Sequence, residues 1–486
     1  MKFGRKKRNL VLVMAILGMV LGGCSKAPEG ESEESSSGTS TGKATTISVE
    51  EFNKNKDDYQ VIDTRDTYQY NGWGTDGIKG GHIEGALVFP EDWLPNGNVN
   101  PYDTARLNLE LGRINADKSK KTLIYADDTM TEESSQKYLD LGFTDVAVLE
   151  GGMSAYEKAG LPVDAMKNYS VLVHPQWVQD LADEKNPETY KGKGYKIIEF
   201  GGTEEDYEAG HIKNAIHVGT DILDVPGPGT VPEYDAIPME VKEKFWNRPS
   251  DEILKAKMEE VGIEKDDTVV VYAATKGDTW GAARFALLTL YCGVEDVRLL
   301  DGGKSYAQSE GIEMVTEVPE VKSSNFGKVD RTDAIIDYDK ELELVNDPNA
   351  VIASIRCWEE YIGKESGYPF IGEAGDIAKS RFGYAGTSFA DYRNPDNTMF
   401  SYPLMVERWA KWGIVPEKTV SFHCGTGYRA SETYLYAKAL GWENIHMYDG
   451  GWYEWHLHKD APRLEKGLPE DAPEQAPDFT RGIPMK

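Results

Sequence analysis

Short apolar runs alternate with stretches of helical period over most of the chain. Val269-Val270-Val271-Tyr272 has no polar break, the pattern of a strand buried on both faces. Val420-Ser421-Phe422 reads as another strand. Ala282 to Leu290 and Ser431 to Leu440 carry apolar residues three and four apart, the period of a helix with a buried face. Strands alternating with helices predict an α/β fold, a parallel sheet with helices on both faces. Sites in such a sheet form where strands end and helices begin.

The pattern occurs three times. Each segment opens with an apolar run, an Arg or Glu and a Gly-rich turn. The turns are Gly80-Gly81-His82-Ile83-Glu84-Gly85-Ala86, Ala209-Gly210-His211-Ile212-Lys213-Asn214-Ala215 and, more weakly, Ala374-Gly375-Asp376-Ile377-Ala378. Each closes on a Gly-Gly turn: Leu149-Glu150-Gly151-Gly152, Leu300-Asp301-Gly302-Gly303 and Tyr448-Asp449-Gly450-Gly451. The Gly-Gly spacings are 151 and 148 residues, so the repeat has the size of a domain. The units are placed at 46–167, 168–322 and 323–465, with a C-terminal tail at 466–486. Leu223 to Asp251, which carries Pro-Gly-Pro-Gly, and Gly363 to Gly375 read as insertions. The stretch from Ala461, rich in Pro and charge, reads as a surface strap.

The N-terminus reads as an address. Arg5, Lys6, Lys7 and Arg8 precede an apolar run from Leu10 to Leu21 that is short for a membrane span. The run ends in Leu21-Gly22-Gly23-Cys24, which resembles the bacterial lipobox, where the Cys thiol is acylated after cleavage. The expectation is a signal peptide at 1–23 and lipidation at Cys24; the bland alternative is an ordinary secretory leader with an incidental Cys. Residues 24–45, rich in Ser, Glu and Gly, read as a flexible tether. The protein is then exported and lipid-anchored to the outer face of the cell membrane, or periplasmic in a two-membrane envelope.

Composition narrows the chemistry. Hydrophobic residues make up 40% and charged residues 28%, a balance that excludes wholesale disorder. Four cysteines in 486 residues exclude a disulfide scaffold. The formal charge of -29 repels phosphate backbones, so nucleic acid is not an expected partner. An anion site in this chain has to be built locally, from backbone amides and a few cationic side chains.

One loop has that character. His423-Cys424-Gly425-Thr426-Gly427-Tyr428-Arg429 lies between the strand at Val420 to Phe422 and the helix from Ala430. A thiol at a strand end, facing a helix N-terminus, meets the positive end of the helix dipole, which favours thiolate. Gly425 and Gly427 permit a backbone that turns successive N–H groups inward. The expected cup of donors, with Arg429 at its rim, suits a thiolate, a persulfide or the oxygens of an attached anion. The alternative is a structural Cys in a tight turn.

Cys-Gly-Thr-Gly-Tyr-Arg-Ala-Ser-Glu at 424–432, followed by Tyr448-Asp449-Gly450-Gly451-Trp452-Tyr453-Glu454-Trp455, resembles the rhodanese superfamily of sulfurtransferases. The resemblance covers about Thr46 to Asp460 as three tandem rhodanese-like domains. It is nearest to the three-domain, exported thiosulfate sulfurtransferases, in which only the last domain is active; Ser354-Ile355-Arg356 and Glu360-Tyr361-Ile362 also fit that group. It implies that Cys424 carries a persulfide and that Gly425, Thr426, Gly427, Tyr428 and Arg429 bind the donor. It implies thiosulfate as donor, a thiol or cyanide as acceptor, and no metal or organic cofactor. Two alternatives stay open: a mercaptopyruvate-type donor, and a non-catalytic sulfur carrier or scaffold. The shared chemistry of the cup also brings tyrosine phosphatases to mind, but those place five residues between Cys and Arg. Here four separate Cys424 from Arg429, a smaller ring that suits sulfur.

The other units lack the nucleophile. Aligned strand ends put Ala126 and Ala273 at the Cys424 position, and Asp127 and Asp128 repel an anion. The third unit has Asp376 where the others have His82 and His211, and Ser354 where the family has Asp. Cys292 reads as buried filler. Cys357 is a candidate resolving thiol. His423 is expected to point away from the cup. His446, His456 and His458 have no metal-ligand spacing. Trp452 and Trp455 are either pocket walls or core, and Arg381 either an anion contact or half of an ion pair.

Overall fold

The computed structural model describes residues 42–75, 77–97, 99–225, 236–385, 392–464 and 467–473. Cys24, the leader at 1–23, most of the tether and the end of the tail lie outside the described residues. Among the described residues no helix is long and apolar enough to cross a membrane.

Three five-stranded sheets, each wholly parallel, follow one another along the chain. Across the first, the order is Thr45–Ile47, Asp145–Leu149, Lys121–Tyr125, Gln60–Asp63, Leu87–Val88. Across the second it is Leu172–Val173, Asp296–Leu300, Thr268–Ala273, Tyr195–Phe200, Ala215–Val218. The third repeats it with Ile335–Ile336, Ile445–Tyr448, Thr419–His423, Ala350–Ser354, Arg381–Phe382. In each, the fourth strand in sequence lies at the centre beside the second. The chain runs outward in opposite directions from these two, so their carboxyl ends form the crevice where ligands bind in open α/β sheets.

The helices cover both faces. In the third sheet Val420 and Phe422 face a layer that contains Leu435 of the helix Tyr428–Ala439. Ile352 and Tyr448 face the other layer, with Leu344, Trp452 and Trp455. Helix Tyr428–Ala439 also packs on its counterpart Thr279–Tyr291 in the second unit. Both are buried nearly all round, and small residues such as Ala282, Ala286, Ala430 and Ala437 line them. A helix buried on every face carries no exposed polar stripe: Thr279–Tyr291 is mainly apolar, and Tyr428–Ala439 buries polar side chains such as Arg429 and Glu432 in ion pairs.

The Gly-rich turns form short strands, His82–Ile83, His211–Ile212 and Asp376–Ile377. Each pairs antiparallel with the end of its own unit: Val163–Asp164, Met314–Val315 and Arg463–Leu464. The strap from Ala461 therefore closes the third unit, and Arg381 pairs with Asp471 at 2.6 Å rather than facing an anion. The second and third units also exchange segments. Residues after the third strand of the third unit lie on the second unit's Gly-Gly turn, with Met399 N–H donating to Asp301 (3.0 Å) and Lys276 Nζ to the Pro395 carbonyl (3.0 Å). In return, Asp224 of the second unit accepts from the Tyr428 hydroxyl and Arg248 N–H donates to Asp449 (2.7 Å).

Candidate functional site

The loop 424–429 leaves the central strand of the third sheet at its carboxyl end. Cys424 itself is buried. Gly427, at φ +82, caps the helix that begins at Tyr428. The carbonyls of Cys424 and Gly425 turn toward the helix Gly451–Leu457 and accept from Trp452 N–H (2.8 Å) and Tyr453 N–H (2.9 Å). With the carbonyls held there, the amides face the other way. The N–H groups of Gly425, Thr426, Gly427, Tyr428 and Arg429 meet no protein acceptor among the described residues. Five successive donors without partners, at the start of a helix, form a nest for an anion.

The Gly-Gly turn supports this crank. Gly451 has φ +53, and a Cβ there would stand 2.6 Å from both carbonyl oxygens, of Cys424 and of Gly425. Only glycine allows that approach.

Tyr368, from the segment 363–375, covers the loop. A Cβ on Gly425 would stand 2.1 Å from its ring. Arg429 was expected at an open rim. It is instead 6% exposed and spans both oxygens of Glu360 at 2.9 Å, and it donates to the Tyr368 hydroxyl at 2.6 Å. Its charge therefore acts on the loop from a fixed, hydrogen-bonded position. Burial alone would raise the Glu360 carboxyl, but the Arg429 and Arg356 guanidiniums hold it down to about 2. Burial pushes the Tyr368 hydroxyl well up, Arg429 opposes this, and the neighbouring Cys424 thiol adds to it.

Behind the loop the third unit rearranges a motif that the others share. Register pairs Asp63 with Tyr125, Glu199 with Tyr272 and Ser354 with His423. In the first two units the tyrosine hydroxyl donates to the carboxylate, at 2.8 Å and 2.6 Å. In the third the acid has moved to the turn: Asp376 takes Ser354 Oγ at 2.7 Å and lies 3.1 Å from His423 Nε2. Burial would raise the Asp376 carboxyl; His423 and Arg356 bring it below its ordinary value. His423 thus sits in this buried cluster under the sheet. The same registers place Ala126 and Ala273 opposite Cys424 in the pseudo-repeat.

The remaining candidates fall outside the nest. Burial pushes the Cys292 thiol up to about 12. Burial and Glu360 push the Cys357 thiol up further still, which disfavours a resolving thiolate. Trp452 and Trp455 are core residues whose indole N–H groups reach the Glu373 and Pro462 carbonyls. His446 and His456 bond backbone carbonyls, and His458 stacks on Tyr338. Among the described residues, the one cluster with metal-ligand spacing, Asp66 with Asp92 and Glu310, contains none of the sequence-predicted site residues. Sequence reasoning gave no role to Glu360, Tyr368, Arg284 or Asp224. Glu360-Tyr361-Ile362, the insertions at Leu223 to Asp251 and Gly363 to Gly375, and the Asp of the Tyr-Asp-Gly-Gly turn were the signals that could have pointed to such partners.

Comparison with known proteins gives a consistent result. The rhodanese-like domain family matches at 48–159, 174–309 and 338–458. Thiosulfate sulfurtransferase YnjE of Escherichia coli is 35% identical over 412 residues, covering 83% of this chain and 88% of YnjE. Sulfur carrier protein TtuD of Thermus thermophilus is 28% identical over 297 residues, covering 59% of this chain and 93% of TtuD. Among solved structures, the anaerobic ergothioneine biosynthesis enzyme from Chlorobium limicola, in complex with trimethyl histidine, superposes with TM-score 0.74 at 28% identity. It covers 88% of this chain and 100% of its own. Wild-type EanB superposes with TM-score 0.76 at 27% identity, covering 90% and 100%. The chain belongs to the rhodanese family as three tandem rhodanese-like domains, and its chemistry is that of a sulfurtransferase.

Proposed function

We propose that the protein moves sulfane sulfur from thiosulfate to a thiol or cyanide through a persulfide on Cys424. The Cys424 thiolate attacks the outer sulfur of thiosulfate, the S–S bond breaks, and sulfite leaves with the electron pair. The persulfide is then attacked at its outer sulfur by the acceptor, giving thiocyanate or an acceptor persulfide and restoring the thiolate. Atoms and electrons balance without an added oxidant. The unpartnered amides of 425–429 stabilise the charge on the transferred sulfur and on the departing oxygens, with Arg429 adding positive charge through its fixed place beside the loop.

The observation that carries this reading is the set of five unpartnered backbone donors directly after a cysteine at the crevice end of the central strand. Thiosulfate:cyanide turnover tests it: turnover lost in Cys424→Ala supports the enzyme, and a loaded protein without turnover supports a carrier, as the name of TtuD suggests for that relative. The EanB structures with hercynine favour a second acceptor class, a trimethylated histidine, distinguished by the mass of the product. We also propose export and lipid anchoring at Cys24. Its support is the basic stretch, the apolar run and Leu21-Gly22-Gly23-Cys24; labelled-palmitate incorporation lost in Cys24→Ala checks it.

A further inference from the structure

The second domain has Ala273 where a nucleophile would stand, yet its chain reaches the loop of the third. Arg284, on the helix Thr279–Tyr291, is fully buried. Its Nε donates to the Leu223 carbonyl (3.2 Å), and its Nη2 donates both to the Trp246 carbonyl (3.1 Å) and to Asp449 Oδ1 (2.8 Å). Leu223 and Trp246 both belong to the second domain's insertion, and Asp449 directly precedes Gly450-Gly451. One guanidinium thus ties two points of the insertion, Leu223 and Trp246, to the turn beside the loop carbonyls. Arg248 N–H holds the other Asp449 oxygen at 2.7 Å.

The remaining nitrogen points at the loop. Arg284 Nη1 is buried without an acceptor and would stand 2.6 Å from a Cβ on Gly427. The next residue, Tyr428, has its ring centre 5.2 Å from the Arg284 guanidinium carbon, and its hydroxyl donates to Asp224. Trp246 adds a sign of tension. It has φ +66, strained for a bulky side chain, and its ring stacks at 5.0 Å on Phe370, two residues from Tyr368. Strained backbone persists only where its surroundings over-determine it, and here those surroundings are the Arg284 contact and the cover of the loop.

We propose that Arg284 and Asp224 are positioning residues for sulfur transfer: the second domain holds in place the unpartnered loop amides that follow Cys424. Gly427 is a corner with wide conformational freedom, so its arrangement depends on what fixes its two flanks. One flank is Tyr428, tied to Asp224. The other is the Gly-Gly turn, tied through Asp449 to Arg284. Both ties end on the second domain, which gives that domain a part in the chemistry. The inference rests on the reading of Cys424 as the sulfur carrier.

The test uses the full chain and three variants, Arg284→Met, Asp224→Ala and Asp224→Asn. It reads single-turnover persulfide formation from thiosulfate by mass, the split of kcat from KM, and the pH profile of iodoacetamide alkylation at Cys424. Arg284→Met and Asp224→Ala are expected to slow loading about 10- to 100-fold at saturating thiosulfate and to shift the alkylation profile. Asp224→Asn, which still accepts from the Tyr428 hydroxyl, is expected to restore most of the rate. Folded variants that load at the wild-type rate with an unchanged profile overturn the inference, whatever their melting points. If Arg284→Met does not fold, the Asp224 pair decides by the same criterion. Wild-type protein that does not load on Cys424 overturns the underlying reading instead, a result visible before any variant is made.

Discussion

Replacing Gly451 by alanine strikes the loop from behind without touching a reacting atom. The new Cβ would stand 2.6 Å from the carbonyl oxygens of Cys424 and Gly425, closer than real Cβ atoms come, so the loop has to retreat by several tenths of an ångström. A residue with a Cβ at φ +53 costs about 1–2 kcal/mol. The two hydrogen bonds from Trp452 and Tyr453 contribute roughly 0.5–1.5 kcal/mol each and weaken as the carbonyls shift. The stability loss is therefore about 2–4 kcal/mol. Loading suffers more, because a shifted carbonyl rotates its amide plane and turns the neighbouring N–H away from its place in the loop; about a 10- to 100-fold loss is expected. Gly152→Ala is the matched control. It has φ +51, and its Cβ would stand 2.5 Å from the Ala126 and Asp128 carbonyls in a domain with no cysteine at that place. Both variants are expected to melt earlier, and only Gly451→Ala to lose thiosulfate-dependent persulfide formation. Equal loss of loading in the two, or normal loading in Gly451→Ala, refutes the reasoning.

Three further outcomes are expected. Glu360→Gln leaves the Arg429 and Arg356 guanidiniums buried without their shared counter-charge, so denaturant unfolding shows a loss on the order of 3 kcal/mol, accompanied by slower loading; an unchanged midpoint contradicts the pairing. Burial raises Asp301, Glu341 and Glu454 to about 7, above their ordinary range near 4, so the folded protein holds more protons than the unfolded chain across that window and stability falls as pH rises through it. Glu360 works the other way, but its contribution is lost only below its ordinary 4.5, as pH falls through about 2. The melting midpoint is therefore higher at pH 5 than at pH 8, and a rise between the two contradicts the assignment. Cys357→Ser, which also suits the N-cap position of the helix Trp358–Tyr361, is expected to keep cyanide turnover, and loss of turnover would restore Cys357 as a resolving thiol.

The repeat was legible because it rests on glycines that geometry requires. Gly152, Gly303 and Gly451 each sit at positive φ against the loop that follows the central strand. The central strands were legible because both faces are buried, leaving unbroken apolar runs. The edge strands Thr45–Ile47, Leu172–Val173 and Ile335–Ile336 span two or three residues and leave no period to read. In the site, Cys424 and its glycines were visible as a local motif. The partner of Arg429 was not, since Glu360 lies 69 residues away and meets it only after the second and fourth strands pair. The exchange of Tyr for His423 and of the acid from position 354 to Asp376 likewise shows its sense only in register. The insertion at Leu223 to Asp251 could be seen as extra chain; that its Leu223, Trp246 and Arg248 meet Arg284 and Asp449 is a fact of domain packing.

The most direct measurement is the intact mass of full-length protein after exposure to thiosulfate, with peptide mapping. The account predicts a cyanide-reversible gain of one sulfur, about 32 Da, mapped to Cys424 and absent from Cys424→Ala. A gain that maps to Cys292 or Cys357, or no gain in the wild type, contradicts it.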